Sequence, residues 1–263
     1  MKETAAGLFE HDGRKFFPAD IVRALKDVGI KSGYKLFVHA DLKSFGKINP
    51  QIGKEEYLDA FVGALTGLVG ESGTIIMPTF SYSFCRGEVY DPQRTLSTVG
   101  ILTEHFRKMT GVVRTIDPIF SVAVWGVDQK FYQMVGGDCF GNKSIFQKIY
   151  DADFKILFLG ETFDLTYLHF IEQAYGVSYR YRKKFTGQII IDGELKEFAF
   201  DYNVRPLDGS IDYNLEAVAD FLNRRGVLKT GRLGYSRLRL VGAKDAYAEI
   251  TAGLKANPKL LLI

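Results

Sequence analysis

The chain has 263 residues, 46% of them hydrophobic and 14% aromatic, with 34 basic against 31 acidic side chains and a formal net charge of +3. This length and apolar content are enough to bury a full core in one large domain, or in a main domain with a small subdomain. No apolar run approaches the roughly 20 residues of a membrane helix, and Met1-Lys2-Glu3-Thr4 lacks the basic-then-apolar layout of a signal peptide, so a cytoplasmic protein is expected. Cys85 and Cys139 have no CxxC spacing and no histidine beside them; they read as free thiols rather than a zinc or redox pair. Arg180, Arg182, Lys183 and Lys184 cluster tightly, yet the overall excess is too small, and too far from any known module, for a nucleic-acid binder. It suits small anionic ligands better.

Pro18 opens a first helix whose apolar face is Ile21, Val22, Leu25 and Val28, with Gly29 as its terminator. A strand at 35–39 follows, then an amphipathic helix at about 55–69 and, past Gly70 and Gly73, a short apolar strand at 74–77. The alternation continues with a helix at 99–108, strands at 121–125 and 156–159, and a helix at 166–175. Strands alternating with helices predict an α/β fold, a mixed β-sheet flanked by helices on both faces. After Arg182 the texture changes: 185–191, the turn Asp192-Gly193 and 195–200 form a hairpin signature, followed by helices at 214–225 and 243–254 around a strand at 237–241. The expected organisation is therefore a core over 1–178 and a smaller C-terminal α+β subdomain over 179–263 that contributes to acceptor binding.

There is no Walker loop, no GxGxxG after a strand, no HExxH and no GxSxG elbow, which removes sequence support for an ATPase, a dinucleotide-binding dehydrogenase, a zincin or a serine hydrolase. No ligand cluster calls for a metal. The helix at 166–175 sets His169 and Glu172 three residues apart, on one face and within contact range. A carboxylate there orients an imidazole and stabilises its protonated form, which suits proton acceptance near neutral pH; the same spacing is also that of an ordinary surface pair. His39 ends the first strand, and Lys43, Ser44 and Gly46 after it offer an ammonium, a hydroxyl and backbone N–H groups to phosphate oxygens. Thr79, Ser81 and Tyr82 follow the second strand and Tyr90-Asp91-Pro92 lies a loop later, where hydroxyls can bind a sugar or an oxyanion and a carboxylate an amine. Turn chemistry is the plainer reading of those residues.

Taken in order, Val38–Gly46, Gly73–Ser81, Tyr90-Asp91-Pro92 with Gly100–Arg107, Gly111–Ser121, Ser144-Ile145-Phe146, Leu159-Gly160 and Thr166–Glu172 resemble the aminoglycoside 3-N-acetyltransferase family of coenzyme A-dependent acyltransferases. The resemblance covers most of residues 35–185 and is loose in the C-terminal third. It implies a mixed α/β fold, an acyl-CoA donor and an amino-sugar acceptor, with His169 and Glu172 at the positions of the catalytic pair. It also implies that His39, Lys43, Ser44, Phe45 and Gly46, together with Thr79, Arg114, Thr115 and Ser121, lie near coenzyme A. The family has histidine before the proline of the Gly111–Ser121 motif, where this chain has Asp117.

Aminoglycosides are polycations that require clustered carboxylates, whereas this chain offers a basic tract. The sequence is similar to the branch of the family that acylates nucleotide-linked amino-deoxysugars, dTDP-sugars in the first place, for surface polysaccharides. On that reading Asp91 and Ser81 hold the acceptor's amine, Tyr82, Tyr90, Arg180, Arg182 and Lys183 bind the rest of it, and transfer is direct in a ternary complex. The proton acceptor is His169 aided by Glu172, or Asp91, or solvent. Ser81 serves the tetrahedral intermediate. Antibiotic modification and a non-catalytic CoA-binding protein are the rival readings. The expected partners are small molecules, neither nucleic acid nor membrane, and the sequence permits a homo-oligomer without specifying one.

Overall fold

A computed structural model of the chain describes residues 7–263; the leading residues Met1-Lys2-Glu3-Thr4, read above for a signal peptide, lie outside the described part. The first element is a hairpin, β1 (Phe9–His11) and β2 (Arg14–Phe16), followed by α1 (Pro18–Asp27), β3 (Lys35–Ala40), β4 (Lys47–Ile48), α2 (Lys54–Val69) and β5 (Thr74–Pro78). Next come α3 (Ile101–Phe106), β6 (Val113–Arg114), β7 (Val122–Gly126), α4 (Gln129–Gln133), α5 (Ile145–Asp151), β8 (Lys155–Leu159) and α6 (Leu168–Tyr175). The chain closes with β9 (Tyr181–Ile191), β10 (Glu194–Val204), α7 (Leu215–Arg224), β11 (Lys229–Leu233), β12 (Ser236–Gly242) and α8 (Ala243–Ala256).

Seven strands form the central sheet in the order β11-β12-β8-β3-β5-β7-β6. β3 runs parallel to both β5 and β8, and every other neighbouring pair is antiparallel, so the sheet is mixed as expected. Period-2 alternation sends Leu36 and Val38 of β3, Ile75 and Met77 of β5 and Leu157 and Leu159 of β8 into one core, under α1, α2 and α3. Phe37, Ile76, Ile156 and Phe158 point the other way, into a second core under α5, α6, α7 and α8. Strands buried on both faces read as continuous apolar runs, which is why these three were legible.

The helix ends follow local chemistry. Asp20 accepts from the backbone N–H of Phe17 at 2.8 Å ahead of α1, Ser144 accepts from Gln147 N at 3.0 Å ahead of α5, and Gly176, at φ 79°, closes α6 in the left-handed region.

The stretch after residue 179 divides. β9 and β10 form a two-stranded sheet of their own, bridged to the body by isolated contacts of Tyr90 with Ile189 and Asp138 with Asp201, around a tight turn at Asp192 and Gly193 with φ 53° and 82°. β12 instead pairs with β8 in the middle of the main sheet, and β11 takes its edge, because Leu238 and Leu240 continue the apolar face of Leu157 and Leu159. The two halves of the expected 179–263 unit thus lie in different places: a separate hairpin, and one end of the central sheet with its cover. Two further differences come from short or polar elements. β1, β2 and β4 make a three-stranded sheet from strands of two or three residues, too short to display alternation, and β11 (Lys-Thr-Gly-Arg-Leu) is mostly polar because it is an edge.

Candidate active site

The parallel strands β3, β5 and β8 end at the same edge of the sheet, and the loops beyond them meet α6 there, the usual place for a ligand in an open α/β sheet. α6 turns its apolar side, Leu168, Phe170 and Ile171, into the core and buries Glu172 completely. His169, one turn back, keeps about a quarter of its side chain exposed, on a cavity of about 510 Å³.

The imidazole Nδ1 lies 2.8 Å from Glu172 Oε2, as the three-residue spacing predicts. The same carboxylate oxygen is 2.9 Å from Arg180 Nε, and its other oxygen accepts from Tyr213 at 2.7 Å and Tyr179 at 2.9 Å. Burial alone would raise the Glu172 pKa; hydrogen bonds and charges from His169, Arg180 and Tyr213 outweigh it and hold the carboxyl below its ordinary range, so Glu172 is an anion. For His169 burial is the largest influence and lowers the pKa, Arg180 adds to that, and Glu172 only partly offsets them; the ring is neutral at pH 7.

Arg180 Nη2 also stands 2.8 Å from His169 Nδ1, and a guanidinium can only donate. Were Nδ1 the acceptor, its lone pair would face the Glu172 oxygen at 2.8 Å with no proton between them. The proton therefore sits on Nδ1 and is donated to Glu172, while Arg180 is engaged by Glu172, Tyr213 and the Asn203 carbonyl at 2.6 Å. That tautomer leaves Nε2 with its lone pair free, and no group among the described residues takes it. A neutral imidazole, oriented through one nitrogen and open at the other, is the arrangement that general-base chemistry requires.

Beside the main cavity lies a narrow passage of about 100 Å³ lined by His39, Asp41, Phe80, Asp164 and Thr166 among others; it shares Asp164 and Thr166 with the main cavity. It also shares Ala40 and Asp41 with the lining of a recess of about 490 Å³ edged by Lys43, Lys54 and Lys108. His39 lies in the passage wall, stacked on Phe158 at 5.3 Å, and its buried Nε2 has no hydrogen-bond partner. Burial, partly countered by Asp164, lowers its pKa to about 4.

Other residues singled out from sequence are placed differently. Thr79, Arg114, Thr115 and Ser121 do come together, but as a sealed network that lines none of the cavities described here. Arg114 donates to Thr79 Oγ1 at 3.0 Å, to Ser121 Oγ at 3.2 Å and to the carbonyls of Thr79 and Thr95, and lies over the Tyr90 ring at 5.2 Å. Tyr90 is fully buried, donates to the Thr115 carbonyl at 2.9 Å and pins the β9–β10 hairpin through backbone bonds to Gln188 and Ile190. Ser81 is also fully buried and donates to the Pro118 carbonyl at 2.9 Å, which leaves no hydroxyl for an oxyanion. Asp91 spends its carboxylate on the backbone N–H groups of Gln93 and Arg94, at 2.8 and 3.2 Å, and is absent from the cavity wall.

Phe45 is core, packed on Phe61 at 5.3 Å, and Gly46 is there because a Cβ would stand 2.5 Å from the Glu10 carbonyl. Ser44 donates to the Asp41 carbonyl at 2.8 Å and accepts from Glu161 N at 3.2 Å. Arg182 is paired with Asp138 and Asp201. Lys183 and Tyr82 do line the cavity, Tyr82 with φ 55°, a strained conformation for so bulky a residue.

Sequence reasoning missed the clamp on Glu172 and the only carboxylate lining the cavity among the described residues, Asp164. Tyr213 is 41 residues from Glu172 and carries no local signal. Asp164 had one: with Glu161, it is one of two acids in the strand-end loop just before the His169 helix.

A sheet-edge cavity with a carboxylate-oriented imidazole is equipment an acyltransferase can use. The chain belongs to the aminoglycoside 3-N-acetyltransferase family, whose model matches residues 37–255. It is 26% identical over 251 residues to aminoglycoside N(3)-acetyltransferase IV from Salmonella sp., covering 93% of this chain and 89% of that protein. Among solved structures it is similar to aminoglycoside acetyltransferase AAC(3)-Xa, with TM-score 0.79, 20% identity and 93% of each chain covered. It is also similar to AAC-IIIb in its binary complex with CoASH, with TM-score 0.78, 21% identity, 91% of this chain and 96% of that one covered. These likenesses agree with the mixed α/β fold. Among the described residues no group of acidic, histidine or cysteine side chains could hold a metal ion, and no helix is long and apolar enough to cross a membrane.

Proposed function

We propose that this protein transfers an acyl group from acyl-coenzyme A to the primary amine of a nucleotide-linked amino-deoxysugar, by direct attack in a ternary complex. The observation that carries the reaction is the free Nε2 of a neutral His169 at the wall of a cavity of about 510 Å³. His169 Nε2 accepts a proton as the amine attacks the thioester carbonyl; Glu172 stabilises the imidazolium, and the same proton passes to the departing sulfur, giving an amide and a thiol. Such proton transfer contributes about 10²–10⁴-fold in rate.

The donor's shape fits three neighbouring spaces that share lining residues. Lys43 and Lys54, at the outer recess, form no ion pair among the described residues and suit phosphates, and the narrow passage suits the slender pantetheine arm, whose end would reach the main cavity beside Asp164 and Thr166. A cysteine acyl-enzyme has little support. Cys85 lines the cavity but burial raises its thiol pKa, and Cys139 is buried with its pKa raised well above the ordinary value.

The acceptor assignment rests on charge. Lys183 and Arg205 stand on the cavity wall with Phe120, Phe185 and Tyr202, whereas Asp164 is the sole acidic residue there. One amine near the carboxylate, a diphosphate near the cations and a base or sugar on the aromatics match that pattern better than a polycation does. The names of the relatives favour a second reading, acetylation of an aminoglycoside. Thiol release from acetyl-CoA separates the two, assayed with dTDP- and UDP-linked 4-amino-4,6-dideoxyglucose and with kanamycin. Turnover of a nucleotide sugar, reduced about 10²–10⁴-fold in His169→Ala with acetyl-CoA affinity kept, is expected. Turnover of kanamycin alone would overturn the acceptor, and full activity in His169→Ala would overturn the base.

A further inference from the structure

We infer that Asp164 is the residue that captures the acceptor's ammonium, which releases one proton to solvent at this exposed carboxylate and reaches His169 as the neutral amine, a role that rests on the reading of this site as an amine acyltransferase. Asp164 is exposed, and its carboxylate has no hydrogen bond or ion pair among the described residues, although most other acidic groups around the site are engaged. Glu172 is saturated by His169, Arg180, Tyr179 and Tyr213, Asp91 caps its own turn, and Asp41 accepts from Thr162 at 2.9 Å. A carboxylate left free in a cleft is a site waiting for a cation.

Its position is specific. Asp164 lies in the wall of both the main cavity and the narrow passage, and Thr166, which donates to the Asp164 carbonyl at 3.1 Å, fixes that loop just ahead of α6. An ammonium held at this junction sits between the end of the passage, where the thioester would emerge, and His169. The cationic residues of the cavity, Lys183 and Arg205, would draw the anionic part of the acceptor elsewhere, which sets the orientation of a molecule carrying both charges. His169 is neutral and Arg180 is neutralised by Glu172, so neither competes for the carboxylate. Asp164 thereby selects an amine over the isosteric hydroxyl, because a hydroxyl gains no charge-assisted bond there.

The test compares dTDP-4-amino-4,6-dideoxyglucose with dTDP-6-deoxyglucose, which has a hydroxyl in place of the amine, by calorimetric binding to the wild type, Asp164→Asn and Asp164→Glu in the presence of coenzyme A. The wild type is expected to prefer the amine by about 10–100-fold, Asp164→Asn to bind both alike, and Asp164→Glu to recover part of the preference. Urea-unfolding midpoints that agree in all three certify the fold. Retention of the amine preference in Asp164→Asn would overturn the role. If the wild type binds neither sugar nucleotide but acetylates kanamycin, the nucleotide reading fails alone; a KM for kanamycin raised at least about tenfold in Asp164→Asn then upholds Asp164, and an unchanged KM overturns it. A wild type that neither binds nor acylates any of these amines overturns both.

Discussion

Two arginine-centred clusters lie at the same end of the sheet and differ in one respect. Around Arg114, each guanidinium nitrogen donates to an internal acceptor, Thr79, Ser121, Thr95 or Pro92, and none of the three faces a cavity described here. Around Arg180, the guanidinium, two tyrosines and Glu172 satisfy one another just as fully, but the last member, His169, is bound through Nδ1 only and keeps Nε2 for the cavity. Both clusters are rich in the residues of active sites. What separates a structural clamp from a chemical one is a single open atom, and this can be read only from the closed hydrogen-bond account of each cluster.

Arg114→Met should break that contrast most visibly. It keeps the apolar stem but takes from the Thr95 carbonyl its bond to the guanidinium and leaves the Thr79 carbonyl only its bond from Ser121, at an expected cost of about 3 kcal/mol in urea unfolding. Acyl transfer per folded molecule and KM for acetyl-CoA should stay near wild type at low temperature, because the cluster lines no cavity. A large rise in KM for acetyl-CoA at full stability would instead return Arg114 to the donor site.

His39 is intermediate, a buried ring with one orphan nitrogen. Its pKa is lowered from 6.5 to about 4, so between those values the unfolded chain binds more protons than the folded one. Stability is then fully present above pH 6.5 and falls as the pH drops toward 4. Wild type should lose about 2 kcal/mol more than His39→Phe between pH 7 and pH 5, with stacking on Phe158 retained in the variant. Equal losses in the two proteins would mean that His39 reaches a partner and does not titrate as a buried orphan.

What was legible in the sequence follows the range of the interaction. β3, β5 and β8 announce themselves as apolar runs, and α6 brings His169 to Glu172 by helical spacing alone, so the alternating fold and the His169–Glu172 contact were both accessible. The rest depends on contacts across the fold. Ser81 and Thr79 looked like site residues because hydroxyls follow a strand end, and nothing local says that Pro118 and Ser121 would seal them. Asp91 looked like an amine ligand because an Asx turn and a binding carboxylate share one sequence. Arg180 was expected to bind an anion, which it does, but the anion is Glu172 of its own chain. The C-terminal strands read as a separate unit because antiparallel return to β8 from nearly 80 residues away leaves no periodic mark.

Ser44→Ala should give the smallest effect and draw the finest line between the two kinds of cluster. Ser44 follows β3 in the segment whose resemblance placed coenzyme A, and an unpaired hydroxyl there would serve a phosphate. Its oxygen is instead occupied twice, donating to the Asp41 carbonyl and accepting from Glu161 N, and it stands 2.9 Å from where a Cβ on Gly160 would be, so it ties the end of β3 to the end of β8. Removing it costs two ordinary hydrogen bonds near the surface, about 1 kcal/mol of stability, with KM for acetyl-CoA changed by less than about twofold. Lys43, one residue earlier, is exposed and unpaired among the described residues, and Lys43→Ala should move that KM the more. The opposite order, with Ser44→Ala raising KM about tenfold and stability untouched, would mean that donor binding reopens the Ser44 bonds and that this loop belongs to the class of His169 rather than that of Arg114.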